Sequence, residues 1–127
     1  MRFKYAILYV EDVTKTLEFY EKAFGFKRSF LDEGGDYGEL DTGGTTLSFS
    51  SLKLMNQLGK GAVAPNTLTP SFEIAFETEN VTNVLEIALR AGARLVQKVE
   101  EMPWGQTTAY VNDINGFLVE ICSPIRN

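Results

Sequence analysis

The chain of 127 residues contains no histidine, so its chemistry must come from carboxylates, phenols, hydroxyls, lysines or its single thiol, Cys122. That excludes Ser-His-Asp and Cys-His nucleophiles, a histidine general base and any histidine-built zinc or iron site. Cys122 reads as a small buried hydrophobe, because no histidine or neighbouring basic residue is at hand to activate it. The informative carboxylates are Glu73 and Glu120, with Tyr5, Tyr9, Ser48, Ser50, Trp104 and Tyr110 as companions. Two glutamates brought together could work as a general acid and a general base. The plainer reading makes them wet cleft residues that accept hydrogen bonds from Tyr5 and Ser48 and attract a cationic ligand.

These residues gain meaning from the elements that carry them. Val13, Leu17, Tyr20 and Phe24 are spaced by four, three and four, which predicts a helix capped by Asp12 and ended by Gly25. Residues 3 to 10 read as a strand before it. Phe26 to Leu31, Tyr37 to Thr42 and Thr45 to Ser51 read as a three-stranded meander broken by glycine turns. Residues 52 to 70 form a connector with one short helical turn around Leu52 to Leu58. The order then restarts with a strand over 71 to 78, Asn80 as a cap, a helix carrying Val81, Leu85, Ala88 and Leu89, Gly92 as its stop, and three more strands.

The halves superpose as sequence. Val13 meets Val81 and Leu17 meets Leu85 at an offset of 68 positions (81 minus 13), and Asp41-Thr42-Gly43-Gly44 meets Asp113-Ile114-Asn115-Gly116 at 72 (113 minus 41). This weak but ordered duplication predicts an α+β protein of two βαβββ modules, residues 1–51 and 71–127, joined by the connector 52–70 within a single domain. Each module's helix covers one face of a curved mixed sheet, leaving the other as a concave cleft. Strand alternation then sends Leu47, Phe49, Phe72, Ile74, Phe76, Phe117, Val119 and Ile121 towards the helices. Tyr5, Tyr9, Ser48, Ser50, Glu73 and Glu120 fall on the cleft side, Tyr5 matching Glu73 and Ser48 matching Glu120 in the duplication. Trp104, in the loop Met102-Pro103-Trp104-Gly105, reads either as a lid over the cleft or as packing against a strand or a second subunit.

Composition narrows the partners. A net charge of −5 and a pI near 4.7 argue against nucleic acid. No apolar run reaches the ~20 residues of a membrane-spanning helix, and the first residues lack a signal-peptide pattern, so a cytoplasmic location is expected.

The stretches AILYVEDVTKTLEFYEKAFGF, FEIAFETENVTNVLEIALRAGA and WGQTTAYVNDINGFLVEICSP resemble the vicinal oxygen chelate superfamily of glyoxalases, bleomycin-resistance proteins and extradiol dioxygenases. That resemblance implies paired βαβββ modules and a homodimer. It also implies, in catalytic members, a divalent metal held at positions that here are Tyr5, Ser48, Glu73 and Glu120. Only the two glutamates are good ligands for a hard cation; with Tyr5 they are the set a metal would use, and no cofactor is expected. The pattern suits the metal-free, bleomycin-resistance-like branch. The expected function is sequestration of a cationic or aromatic small molecule, such as an antibiotic, by Tyr5, Tyr9, Ser48, Ser50, Glu73, Trp104, Tyr110 and Glu120. The rival is an enzyme, a metal-dependent lyase or dioxygenase or a metal-free isomerase, built on Glu73 and Glu120.

Overall fold

In a computed structural model that describes residues 1–126, the chain forms two compact units, Met1–Ala64 and the residues from Pro65 onward. Asn127, the last residue of the predicted second module, lies outside the described residues. Unit 1 runs β1 (Tyr5–Val10), α1 (Val13–Phe24), β2 (Lys27–Leu31), β3 (Tyr37–Asp41), β4 (Thr46–Ser51) and α2 (Leu52–Gln57). Unit 2 repeats the plan with β5 (Ile74–Glu77), α3 (Val81–Ala91), β6 (Arg94–Met102), β7 (Gln106–Asn112) and β8 (Leu118–Cys122).

α1 forms where its apolar stripe demands. Val13, Leu17 and Tyr20 are buried, with Thr16, Phe19 and Ala23 beside them. Extended Asp12 accepts the Lys15 N–H at 3.0 Å, and Gly25, at φ +74°, closes the last turn on the Glu21 carbonyl. The helix packs on a sheet face made by Leu40, Leu47 and Phe49, with the Tyr20 and Phe49 rings 5.2 Å apart. Gly38 permits this approach: a Cβ there would lie 2.7 Å from Leu17 Cδ1.

Each unit holds one four-stranded mixed sheet, in the orders β1-β4-β3-β2 and β5-β8-β7-β6. The first strand pairs with the last in parallel and the remaining pairs are antiparallel. The registers reproduce both offsets of the duplication. Ala6 pairs with Leu47 and Ile74 with Val119, so the first strands differ by 68 positions and the last by 72. The helix-facing residues of unit 2 include Ala109, Val111, Val119 and Ile121, all fully buried.

Three local expectations need correction. The strand predicted over 71 to 78 is only Ile74–Glu77, because its partner β8 begins at Leu118 and the ladder opens at Ile74 with Val119. Phe72 therefore sits ahead of the strand, 52% exposed, although its ring centroid is 5.9 Å from that of Phe117. Asn80 occupies the cap position of α3 but its side chain makes no cap bond. Its own N–H is instead taken by the Thr78 hydroxyl at 3.1 Å, in a tight turn that leaves Asn80 at ψ 65°. Among the described residues, no helix is long and apolar enough to cross a membrane.

Leu17→Ala is expected to cost roughly 2–5 kcal/mol by opening the packing above Gly38 and Phe49. Asp12→Ala should cost about 1 kcal/mol through its lost cap, whereas Asn80→Ala should stay within about 0.5 kcal/mol. Denaturant unfolding of the three variants measures all of these, and an equal loss at Asp12 and Asn80 would contradict the difference between the two helix starts.

Candidate functional site

On the face of unit 2's sheet opposite α3, Tyr110 of β7 pairs directly with Glu120 of β8. The Tyr110 hydroxyl lies 2.9 Å from Glu120 Oε2 and 3.0 Å from Oε2 of Glu73, which approaches from just ahead of β5. Glu73 is exposed, while Tyr110 and Glu120 are half-buried. Neither glutamate forms an ion pair, since the two ion pairs among the described residues, Arg28–Glu21 and Arg126–Glu79, lie elsewhere. Desolvation first, then hydrogen bonding and repulsion from Glu120 and Glu73, raise the Tyr110 pKa well above the ordinary phenol value, so this tyrosine stays protonated.

Unit 1 carries a related cluster on the corresponding face of its own sheet. The Tyr37 hydroxyl donates to Glu39 Oε2 at 2.7 Å and lies 3.1 Å from Ser48 Oγ. Glu39 and Ser48 are direct partners across β3 and β4. Burial, with the Glu39 carboxylate and Tyr5 adding to it, pushes the Tyr37 pKa up to about 12, while the Ser48 hydrogen bond works against the rise. With its one proton given to Glu39, the phenol oxygen can accept from the Ser48 hydroxyl.

The structure thus brings Glu73, Tyr110 and Glu120 together, but not in the expected pattern. Their hydrogen bonds come from Tyr110, and Ser48 is bonded to Tyr37. Ser48 and Ser50, predicted to line an open face, are buried at 0% and 4% exposure. The reason is Tyr37, which stands opposite Ser50 in the ladder and reaches back to Ser48. Tyr5 is exposed and Tyr9 half-buried; the Lys4 ammonium already sits 5.4 Å from the Tyr5 ring centroid. Trp104 stays in the turn between β6 and β7, its indole N–H donating to Gln106 Oε1 at 2.7 Å. Gln106 is four residues from Tyr110 along β7, roughly 13 Å at strand rise, so Trp104 is not part of the Tyr110 cluster. Cys122 is buried, and desolvation followed by repulsion from Glu120, Glu77 and Glu73 pushes its thiol pKa up, as an inert packing residue requires.

Tyr37 and Glu39 were missed by sequence reasoning, although a signal for them exists. Folding the meander back at Gly43-Gly44 sets Glu39 opposite Ser48, and alternation then puts Tyr37 on the same face.

As donors, the residues at the superfamily's metal positions suit a divalent cation poorly. Ser48 is buried and committed to Tyr37, Glu73 and Glu120 are spanned by a protonated phenol, and among the described residues no three His, Cys, Asp or Glu side chains converge.

Two mixed sheets of this connectivity, each with a helix on one face and a polar cluster on the other, define the class. The chain belongs to the glyoxalase-like domain family, whose model matches residues 3–126, and so to the vicinal oxygen chelate superfamily. A glyoxalase/bleomycin resistance protein/dioxygenase family enzyme from Burkholderia phytofirmans PsJN is 20% identical, with a TM-score of 0.85 over 97% of this chain and 98% of that one. A glyoxalase-related enzyme from Fulvimarina pelagi is 21% identical, with a TM-score of 0.84 over 98% and 88% of the two chains. TioX from Micromonospora sp. ML1 is 21% identical, with a TM-score of 0.74 over 97% and 98%. At these identities the likeness is one of fold. No curated protein matches the chain.

The two cluster tyrosines should ionise late. Since their folded pKa values exceed the ordinary 10.0, the stability that they supply is fully present below about pH 10 and is lost as the pH rises through about 12. Tyrosinate absorbance should show a late-ionising component that includes Tyr37 and Tyr110, and Tyr37→Phe should reduce it and flatten the alkaline loss of stability. A late component left unchanged by Tyr37→Phe would contradict the geometry.

Proposed function

We propose that this chain is a binding protein that sequesters a small organic cation at Glu73, Tyr110 and Glu120 without a metal and without transforming it. The observation that carries this reading is the pair of ion-pair-free glutamates on the two sides of one phenol. Two formal negative charges with no basic residue bonded to them attract a cation, and partial burial of Glu120 and Tyr110 strengthens that attraction over its value in bulk water. The −5 net charge favours encounter with the same class of ligand. A protonated phenol between the carboxylates orients them and is poorly suited to removing a proton at neutral pH. Membership of a superfamily whose solved structures carry the family label glyoxalase/bleomycin resistance protein/dioxygenase is compatible with simple capture.

A thermal-shift and calorimetric panel tests the reading. Benzylamine and phenylguanidine should stabilise the protein, by about 2.7 kcal/mol at 100 times Kd, whereas benzoate and benzyl alcohol should not. Glu73→Gln should weaken the cations by about tenfold or more, the loss of one charge-assisted hydrogen bond. Equal binding of benzoate, or an unchanged affinity in the glutamine variant, would overturn the reading. Chemical conversion of the bound amine, read by mass spectrometry, would replace sequestration with catalysis.

A further inference from the structure

Beyond their last strands the two units diverge at a shared serine. Ser51 and Ser123 are equivalent in the duplication, 72 positions apart (123 minus 51). The Ser51 hydroxyl accepts the Leu54 N–H at 3.0 Å and starts α2. The Ser123 hydroxyl is taken up differently: it accepts the Thr107 N–H and donates to the Pro124 carbonyl, both at 2.9 Å. No helix starts there, and the chain runs on to the turn between β6 and β7. Pro124 has no N–H to extend a ladder, and Ile125 is 60% exposed. Arg126 is then fastened twice. Its N–H donates to the Gly105 carbonyl at 2.7 Å, and its guanidinium pairs with Glu79, just ahead of α3. Only glycine admits the first contact, since at φ +85° a Cβ on residue 105 would run into the Arg126 carbonyl oxygen.

A cavity of about 300 Å³ lies on the α3 side of the sheet, with Asn80, Val81, Val99, Thr107 and Ser123 in its wall. Glu79 and Arg126 line it as well, so their ion pair joins its two sides, the segment before α3 and the segment after β8. We infer that residues 123–126 form a strap, hinged at Ser123-Pro124 and latched at Gly105 and Glu79, that gates this cavity and opens while the sheet stays intact. The hinge is firm, because the Ser123 N–H and hydroxyl are both tied to Thr107 and Cys122 is paired with Thr108 in the ladder. The latch is weak beside it. Both partners of its ion pair are more than half exposed, where such a pair shifts an equilibrium by a factor of about five at most and loses strength as salt rises. Opening breaks the Arg126 contacts alone, a local event far below the cost of unfolding. It uncovers Val81, which is buried.

Amide hydrogen exchange followed by NMR reads the latch. The Arg126 amide should be protected, yet exchange at least about a hundredfold faster than the Ile121 amide inside the β7–β8 ladder. Raising the salt to about 1 M, or Glu79→Gln, should speed Arg126 relative to Ile121 by about two- to fivefold. Gly105→Ala should speed it by more than about tenfold. Glu79→Gln leaves the β6–β7 turn untouched, so the test does not hang on Gly105→Ala folding. With Val81→Cys added to each protein, iodoacetamide labelling of the cavity thiol should accelerate in the same order, and buried Cys122 serves as the control for opening of the sheet. Exchange of Arg126 in step with Ile121 would make the segment part of the sheet, and an unprotected Arg126 amide would mean no latch; either result overturns the inference. Labelling at position 81 that ignores salt and both substitutions would overturn the gate.

Discussion

In each unit the first strand pairs in parallel with the last, β1 with β4 and β5 with β8, although a helix and two strands separate them along the chain. Parallel pairing needs such a crossover, and the crossover helix must lie on one face of the sheet. That single requirement divides every strand into a side that meets α1 or α3 and a side that does not. The apolar half, with Leu47 and Phe49 in one unit and Val119 and Ile121 in the other, is consumed by the helix. The polar half is left to chemistry. A slip of one residue in the β5–β8 ladder would exchange the faces of Glu120 and Ile121, so the register decides which side chain joins the polar cluster.

Much of this was legible in the sequence because it is repeated there. The helix stripe Val13, Leu17, Tyr20 and Phe24 and its counterpart from Val81 set the period, and the two offsets of the duplication are the two registers of the sheets. The parity of Glu73 and Glu120 followed from alternation. Their partners did not, because a tyrosine's reach across a ladder depends on side-chain direction and not on spacing. Ser48 looks like an open cleft hydroxyl until Tyr37 is seen crossing to it. The shortened β5 was equally hidden, since nothing in Ser71-Phe72-Glu73 reveals that the ladder with β8 opens only at Ile74.

The same comparison separates what the superfamily offers from what these residues can do. The fold supplies positions where a metal centre could be built, and this chain fills them with a buried serine, an exposed tyrosine and two glutamates held by a phenol. A phenol kept protonated between carboxylates is a spacer with a fixed geometry. It sets the distance between the two carboxylates bonded to it.

The carboxylate opposite a hydroxyl has changed strands between the units: Glu39 faces Ser48 from β3, whereas Glu120 faces Tyr110 from β8. Cross-strand partners share one patch of surface, so a charge can move from one strand to its neighbour and remain almost where it was in space. Column by column, the repeats would show an acid replaced by tyrosine at one position and a serine replaced by an acid at another, two unrelated losses and gains. On the sheet they are one exchange, and the unit of inheritance in such a duplicated protein is the cross-strand pair rather than the single residue.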